Sequence, residues 1–140
     1  MAEGLERFVA AQIGTFDAAL AELRRGRKTG HWMWWVFPQI AGLGRSGTAR
    51  RYAVRDVAEA EAYLAHPALG PRLIEAAEAM LGHRDMPPEA ILGGIDAMKL
   101  RSSMTLFAQV PGAPETFREV LNAFYWGEED GQTLVRIGSR

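Results

Sequence analysis

Residues 5–23, LERFVAAQIGTFDAALAEL, repeat apolar side chains at spacings of three and four positions. This period matches one face of an α-helix, so the stretch predicts a helix of about five turns whose apolar stripe faces a core. Arg24 and Arg25 complement the helix dipole at its end, and Gly26 is typical of a helix stop. The apolar positions of the stripe are Leu5, Phe8, Val9, Ile13, Phe16, Leu20 and Leu23.

The rest of the chain also predicts helices, separated by capping residues, prolines and glycines. Asp56, with Glu59 three residues later, resembles a capping box and predicts the start of a short helix. Asp96 is expected to cap a helix that runs from about residue 97 to 109. Further helices are predicted near residues 71–81, 89–92 and 114–126.

These patterns predict an all-α fold, a compact single-domain bundle of about five to seven helices over residues 1–140. Only residues 34–37 and 134–137 are apolar and β-branched enough for a very short β ribbon. The chain has 140 residues, of which 48% are hydrophobic, the size of one soluble domain. No apolar run approaches the roughly 20 residues that span a bilayer, and the first residues are acidic rather than basic. We therefore expect a cytoplasmic protein without membrane contact.

Positive charge is concentrated in residues 24–55. This segment holds eight of the sixteen Lys and Arg residues and none of the seventeen Asp and Glu residues, although the net charge of the whole chain is −1. Such an asymmetry favours an anionic ligand on this segment. An equally weighted interpretation is a solvated face whose arginines are neutralised by glutamates of other helices.

Three long strings carry a family resemblance: GRKTGHWMWWVFPQIAGLGRS at 26–46, EAYLAHPALGPRL at 61–73 and DAMKLRSSMTLFAQV at 96–110. They resemble the signature blocks of a widespread bacterial domain-of-unknown-function family, number eighteen-ten, with the pattern H-W-M-W-x-x-F-P-Q. The resemblance covers residues 8–134 and implies a small, mainly helical single domain, without implying an activity. The family is sometimes labelled calpastatin, but calpastatins are disordered inhibitors, whereas this chain has the regular apolar pattern of a folded core.

The aromatic segment of the first string supplies candidate site residues. His31 is a candidate general base, because imidazole exchanges a proton near neutral pH, although a histidine that only fixes a loop is the commoner case. Trp32, Trp34 and Trp35 cannot all point the same way in a regular element. We expect two of them in the core and one on a cleft, where an indole can stack on a ligand.

The string GLGRSG at 42–47 matches G-x-G-x-x-G. A dinucleotide-binding fold needs this string between a strand and a helix, and no parallel sheet is predicted, so we reject that fold. Two interpretations remain open. In one, a phosphate is held at the start of a short helix by Gly42, Gly44 and Ser46, with Arg45 beside them. In the other, the glycines are needed only for the backbone angles of a tight turn.

A second candidate group lies on the predicted helix at 97–109. Asp96 and Lys99 are three positions apart and can pair across one helical turn. Ser102 and Ser103 are small polar residues that let a neighbour or a ligand approach closely. The chain has no nucleophile elbow to support a serine hydrolase, and its three isolated histidines do not predict a metal site.

We therefore predict a helical domain that binds a small anionic ligand, nucleotide-like or otherwise phosphorylated, without a cofactor or a metal. Nucleic acid is not expected as a partner because no recognition motif is present, and a monomer and a homodimer are equally compatible with the sequence. The predicted ligand contacts are His31, Trp34, Trp35, Gly42, Gly44, Arg45, Ser46, Lys99, Ser102 and Ser103. His31, Asp96 and Lys99 are the candidate catalytic residues.

Two alternatives are kept. In the first, the aromatic block is a core wedge or a dimer patch of a structural or protein-interaction module. In the second, the chain resembles the family that cleaves ADP-ribose from nucleobases through an N-glycosidic bond. The resemblance lies in the order of three elements, which are the aromatic segment, K-x-R-S-S at 99–103 and W-G-x-x-D-G at 126–131. That chemistry needs a carboxylate beside an oxocarbenium-like centre, and Glu75, Asp96 and Asp130 are the candidates.

Overall fold

The helical periodicity of the sequence is realised as a bundle of α-helices around an apolar core. The computed structural model describes residues 3–138, with only the backbone of Glu3, and contains ten helices in that range. The all-α class is as predicted, but the helices are shorter and more numerous than expected. The ends of the predicted domain, residues 1–2 and 139–140, lie outside the described residues. The helices are α1 (Glu3–Gln12), α2 (Phe16–Arg24), α3 (Met33–Val36), α4 (Gly47–Arg51), α5 (Val57–Ala65), α6 (Leu69–Leu81), α7 (Pro88–Leu92), α8 (Gly94–Ala108), α9 (Thr116–Tyr125) and α10 (Gly131–Ile137).

The single helix predicted over residues 5–23 is wrong, because the stretch forms two helices, α1 and α2. Gly14 between them has φ = +76°, a left-handed conformation that glycine adopts readily and that ends a helix. Ile13, a member of the predicted stripe, is 74% exposed. The apolar spacing continues across the break because both helices turn their inner faces to the same core, where Phe8 and Phe16 are buried.

Of the two helix caps predicted from residue type, one is confirmed and one is wrong. Asp56 caps α5, where its Oδ1 accepts a hydrogen bond from the N–H of Glu59 at 2.8 Å. The prediction that Asp96 caps α8 is wrong, since α8 already begins at Gly94 and Asp96 lies in its first turn. The carboxylate of Asp96 pairs with two lysines instead. A capping residue type near a helix start is therefore not always the cap.

Neither segment considered for a strand is extended. Residues 34–37 fall in α3 and its C-terminal cap, and residues 134–137 lie in α10. Both are short apolar runs, for which periodicity does not separate a buried helix from a strand. The very short β ribbon is therefore absent from these two segments.

One parallel β-bridge, between Ile40 and Val54, is the only sheet-like pairing found between residues 3 and 138. It consists of two hydrogen bonds of 2.8 Å, from Ala41 N–H to the Val54 carbonyl and from Val54 N–H to the Gln39 carbonyl. The bridge closes a loop that contains the glycine string and α4. This closure fixes the loop against the aromatic segment.

Helix α8 is the central element and packs against α5, α7, α9 and α10. Leu100, Met104 and Phe107 on its inner side are fully buried. The ring centroid of Phe107 lies 5.3 Å from that of Tyr63 and 5.9 Å from that of Phe117. With 15 residues, α8 is the longest helix described, and none of the helices in this part of the chain has the length and apolar character needed to cross a bilayer.

Candidate functional site

A buried carboxylate, Glu22, organises the segment that precedes the aromatic block. Its Oε1 accepts hydrogen bonds from the N–H groups of Thr29 and Gly30 at 2.7 and 2.9 Å, and from the indole Nε1 of Trp32 at 2.9 Å. Burial raises the pKa of Glu22, but these hydrogen bonds outweigh burial and lower the pKa from 4.5 to about 2. The carboxylate is therefore charged at neutral pH and fixes the loop that carries Lys28.

Asp96 joins two lysines from different parts of the chain. Its Oδ2 lies 2.8 Å from Lys28 Nζ, and its Oδ1 lies 3.1 Å from Lys99 Nζ. Burial raises the pKa of Asp96, but hydrogen bonds from both ammonium groups bring it below its usual value. The side chains of Lys28, Asp96 and Lys99 are only 9%, 18% and 20% exposed. This lysine–aspartate cluster (Lys28, Asp96 and Lys99) thus holds two positive charges and one negative charge in a poorly solvated place.

Each lysine of the cluster lies over a tryptophan ring. Lys28 Nζ is 5.2 Å from the ring centroid of Trp32, and Lys99 Nζ is 3.9 Å from that of Trp34, both within the range of a cation–π contact. Trp32 is 3% exposed and belongs to the core. Trp34 is half-buried and lines an open cleft together with Lys99. Lys99 is therefore the lysine of the cluster that a ligand can reach.

The Trp34 cleft, as we name this space, has a volume of about 420 Å³. This volume lies within the range of small-molecule sites. Its polar side chains include Lys99 and Asp130, both of which line it. Its apolar lining includes Ile95 and Met98, which are 73% and 71% exposed. The cleft therefore combines a cation, a carboxylate and apolar side chains that nothing in the described chain covers.

Four of the predicted contact residues meet at the cleft: Trp34, Gly44, Lys99 and Ser102. Gly42 lines an adjoining hollow of about 190 Å³, which shares Trp34 and Gly44 with the cleft. Ser102 donates from Oγ to the Met98 carbonyl at 3.2 Å, one turn earlier on α8. The cleft is thus lined by residues of the aromatic segment, the glycine string and α8.

Other predicted contact residues lie away from the cleft. His31 is exposed and forms no hydrogen bond or ion pair with another residue of the described chain. Trp35 packs on Tyr52, with 5.2 Å between ring centroids, and its Nε1 donates to Thr15 Oγ1 at 3.1 Å. Ser103 is fully buried, and its Oγ has no hydrogen-bond partner in the described range. These three residues do not line the cleft.

The glycine string serves close packing. Gly42 has φ = +98°, and a Cβ there would lie 3.0 Å from the guanidinium carbon of Arg136. A Cβ on Gly44 would lie 2.6 Å from the Cβ of Ala49, closer than real side chains approach. The Ser46 hydroxyl accepts a hydrogen bond from Ala49 N–H at 3.0 Å and so caps α4. The local geometry agrees with the tight-turn interpretation of the string.

The basic segment at 24–55 is neutralised only in part. Three of its eight cations form ion pairs within residues 3–138, namely Arg24 with Glu75, Lys28 with Asp96 and Arg55 with Glu59. The five cations without an ion pair to a described residue are Arg25, Arg27, Arg45, Arg50 and Arg51. Arg45 is exposed beside the cleft-lining Gly44. Both interpretations of the segment, a neutralised face and an excess of positive charge, therefore hold for part of it.

Of the three carboxylates named for glycosidic chemistry, only Asp130 lines the cleft. Glu75 pairs with Arg24 at the surface, and Asp96 lies between its two lysines. Asp130 is not among the ligand contacts predicted from the sequence. An aspartate three residues before Thr133 is a helix-cap signal, which indicates the start of a helix and not a place on a cleft. No group of three or more His, Asp or Glu side chains in residues 3–138 is arranged to hold a metal ion.

The same fold is found in a solved structure. The crystal structure of the conserved hypothetical protein Rv1873 from Mycobacterium tuberculosis superposes with a TM-score of 0.96, at 44% sequence identity and over 100% of both chains. No curated protein matches the chain. Residues 2–137 match the family described as Protein of unknown function (DUF1810), which confirms the resemblance carried by the three signature strings. The chain therefore belongs to the family Protein of unknown function (DUF1810).

Proposed function

We propose that the protein binds a small anionic ligand, nucleotide-like or otherwise phosphorylated, in the Trp34 cleft. The observation that carries this proposal is the lysine–aspartate cluster, which has two ammonium groups for one carboxylate. Lys99 lines the cleft, so the excess positive charge is accessible from it. A phosphate group of a ligand would complete the charge balance of the cluster.

Lys99 is held in place before a ligand arrives. Asp96 Oδ1 lies 3.1 Å from its Nζ on one side, and the Trp34 ring lies 3.9 Å away on another. An ammonium group has three N–H donors, and the carboxylate of Asp96 uses one of them. Because the side chain is already ordered, binding a ligand loses little further side-chain entropy. Its limited exposure also weakens solvent screening of its charge.

The apolar lining of the cleft suits the flat part of a nucleotide-like ligand. Ile95 and Met98 are large apolar side chains left exposed beside Trp34. Methionine adapts its shape to what it contacts, and an exposed apolar patch in a concave place is typical of a ligand site. A ligand with an anionic group at Lys99 and a flat group against these side chains would bury them.

A ligand panel measured by thermal unfolding tests the proposal. We expect adenosine monophosphate, adenosine diphosphate, ADP-ribose and orthophosphate at millimolar concentration to include compounds that raise Tm, since a ligand that binds only the folded state stabilises it. A chain of this size gains roughly 3 °C in Tm for each kcal/mol of stabilisation. The absence of a shift with every compound would contradict the proposal.

A matched pair of variants assigns the binding to the cleft. Lys99→Met removes the charge and keeps an unbranched side chain, and we expect it to abolish the shift in Tm. Arg25→Met removes the same charge at an exposed residue that lines neither the cleft nor its adjoining hollow, and we expect it to leave the shift unchanged. Equal shifts in the two variants would place the ligand elsewhere.

A further inference from the structure

One carboxylate oxygen of Asp130 accepts hydrogen bonds, and the other has no hydrogen-bond partner among residues 3–138. Its Oδ2 accepts hydrogen bonds from the Thr133 N–H at 2.9 Å and the Thr133 hydroxyl at 2.6 Å. The Ser102 Oγ lies 3.3 Å from the same Oδ2, and its single proton is shared between this oxygen and the Met98 carbonyl. Asp130 Oδ1 accepts no hydrogen bond from any residue described, although Asp130 lines the Trp34 cleft. Capping α10 needs only one oxygen, so the second remains as an acceptor.

The loop that carries Asp130 is fastened to α8. The N–H of Asp130 donates to Thr105 Oγ1 at 2.9 Å. The guanidinium of Arg101 donates to the carbonyls of Glu128 and Glu129 at 3.0 and 2.9 Å. Both anchoring side chains belong to the central helix of the fold. Oδ1 is therefore an acceptor whose position is fixed before a ligand binds, which lowers the entropy lost on binding.

Asp130 and Lys99 line the same cleft without neutralising each other. Lys99 forms its ion pair with Asp96, and no ion pair between Lys99 and Asp130 is present. The cleft therefore offers a cation and, apart from it, a carboxylate acceptor. A bare anion would satisfy Lys99 and be repelled by Asp130, whereas a ligand with both an anionic group and a hydrogen-bond donor would satisfy both.

We propose that the cleft selects phosphorylated ligands that also carry a hydroxyl group, with Lys99 holding the phosphate and Asp130 Oδ1 accepting the hydroxyl. This inference rests on the proposed function and names its ligand class, that of sugar phosphates and the ribose phosphate of nucleotides. A hydroxyl is the hydrogen-bond donor that these sugar and ribose phosphates carry, and it meets the acceptor without adding a cation to a cleft that already holds the Lys99 ammonium group.

Three ligands built on one scaffold test this selection by titration calorimetry. They are adenosine monophosphate, its dideoxy analogue without ribose hydroxyls, and an analogue in which an amine replaces one ribose hydroxyl. We expect adenosine monophosphate to bind about tenfold more tightly than the dideoxy analogue, since a hydrogen bond to a charged acceptor has that magnitude. We expect the amine analogue to bind no more tightly than adenosine monophosphate.

Two matched variants assign the selection to Asp130. Asparagine caps a helix as well as aspartate does, so Asp130→Asn keeps α10, and we expect it to reduce the tenfold preference to about twofold. Asp56→Asn makes the same substitution at the cap of α5, and Asp56 does not line the cleft. We expect Asp56→Asn to keep the full preference. The comparison of the three ligands on the wild-type protein depends on neither variant.

The outcomes separate this inference from the proposed function. Equal affinities for adenosine monophosphate and its dideoxy analogue in the wild type, both lost in Lys99→Met, would overturn the hydroxyl selection and leave the anion site intact. Tighter binding of the amine analogue would also overturn it. A preference that survives Asp130→Asn would overturn the role of Asp130. If none of the three ligands binds and orthophosphate does not bind either, the proposed function itself fails.

Discussion

Trp32 and Trp34 stand two positions apart, and each lies under a lysine that Asp96 holds, yet their surroundings differ. Trp32 is buried, and its indole donates to the carboxylate of Glu22. Trp34 is half-buried, its indole donates to no residue of the described chain, and it lines the cleft. The neighbours of a tryptophan, and not its place in a signature string, thus decide whether its ring is part of the core or lines a cleft.

The largest expected effect is the difference between Trp32→Ala and Trp34→Ala. Trp32→Ala removes a buried ring and leaves a cavity, so we expect it to lower the free energy of unfolding by about 4 kcal/mol. Trp34→Ala removes a half-buried ring from an open cleft, and we expect a loss of about 1–2 kcal/mol. Urea denaturation of both variants measures the difference. Equal losses would mean that both rings are core anchors.

The next prediction concerns the hydrogen bond from the Trp32 indole to the Glu22 carboxylate, and it is tested by Glu22→Gln and by a change of pH. The pKa of Glu22 is lowered from 4.5 to about 2 in the folded protein. Its charged form therefore stabilises the fold fully above pH 4.5, and this contribution is lost as the pH falls toward 2. We expect Glu22→Gln to lower the free energy of unfolding by about 2–3 kcal/mol at neutral pH.

The amide of the Glu22→Gln variant does not titrate. The variant therefore serves as the reference that isolates the pH dependence of stability that comes from Glu22. The difference in unfolding free energy between the wild type and Glu22→Gln should shrink when denaturation is repeated at a pH of about 3. A difference that stays constant between neutral and acidic pH would show that the charge of Glu22 does not anchor the loop. The wild type alone is less informative, because other carboxylates titrate in the same range.

Local signals in the sequence predict the fold where one residue type enforces one geometry. Asp56 marks the start of α5 because its side chain satisfies a backbone N–H that has no helical partner. The break at Gly14 cannot be read from the apolar spacing, because the spacing continues across it and the positive φ of Gly14 leaves no trace in a period of 3.6 residues. Trp126 illustrates the same limit, since both Trp126 and Gly127 adopt left-handed conformations, with φ = 55° and +76°, whereas residue type favours this conformation only at the glycine.

The residues of the candidate site also differ in whether a local sequence pattern indicates them. Trp34, Gly44, Lys99 and Ser102 were predictable because aromatic, glycine, basic and small polar residues are concentrated in short strings. Asp130 lies 28 residues from Ser102, and the two meet only because α10 packs on α8. No local pattern encodes that packing, so the place of Asp130 on the cleft could not be predicted from the sequence.

The link between the two tryptophan–lysine pairs is tested by Asp96→Asn. The substitution leaves Lys28 and Lys99 without a carboxylate in a poorly solvated place, and we expect a loss of about 2 kcal/mol in the free energy of unfolding. The extra positive charge at the cleft should also strengthen binding of orthophosphate relative to the wild type. Thermal unfolding with and without phosphate measures both effects. A variant that is less stable and gains nothing from phosphate would contradict the proposed anion site.

The smallest expected effect on stability is the difference between replacing Lys28 and replacing Lys99. Lys28 Nζ also donates to the Gly30 carbonyl at 2.6 Å, so Lys28→Met removes two contacts of a nearly buried group, and we expect a loss of about 1–2 kcal/mol. Lys99→Met leaves Asp96 paired with Lys28 and keeps an apolar contact on Trp34, so we expect a loss of about 0.5 kcal/mol. Denaturation of both variants without ligand makes the comparison. A large loss in Lys99→Met would mean that Lys99 stabilises the fold and is not held ready for a ligand.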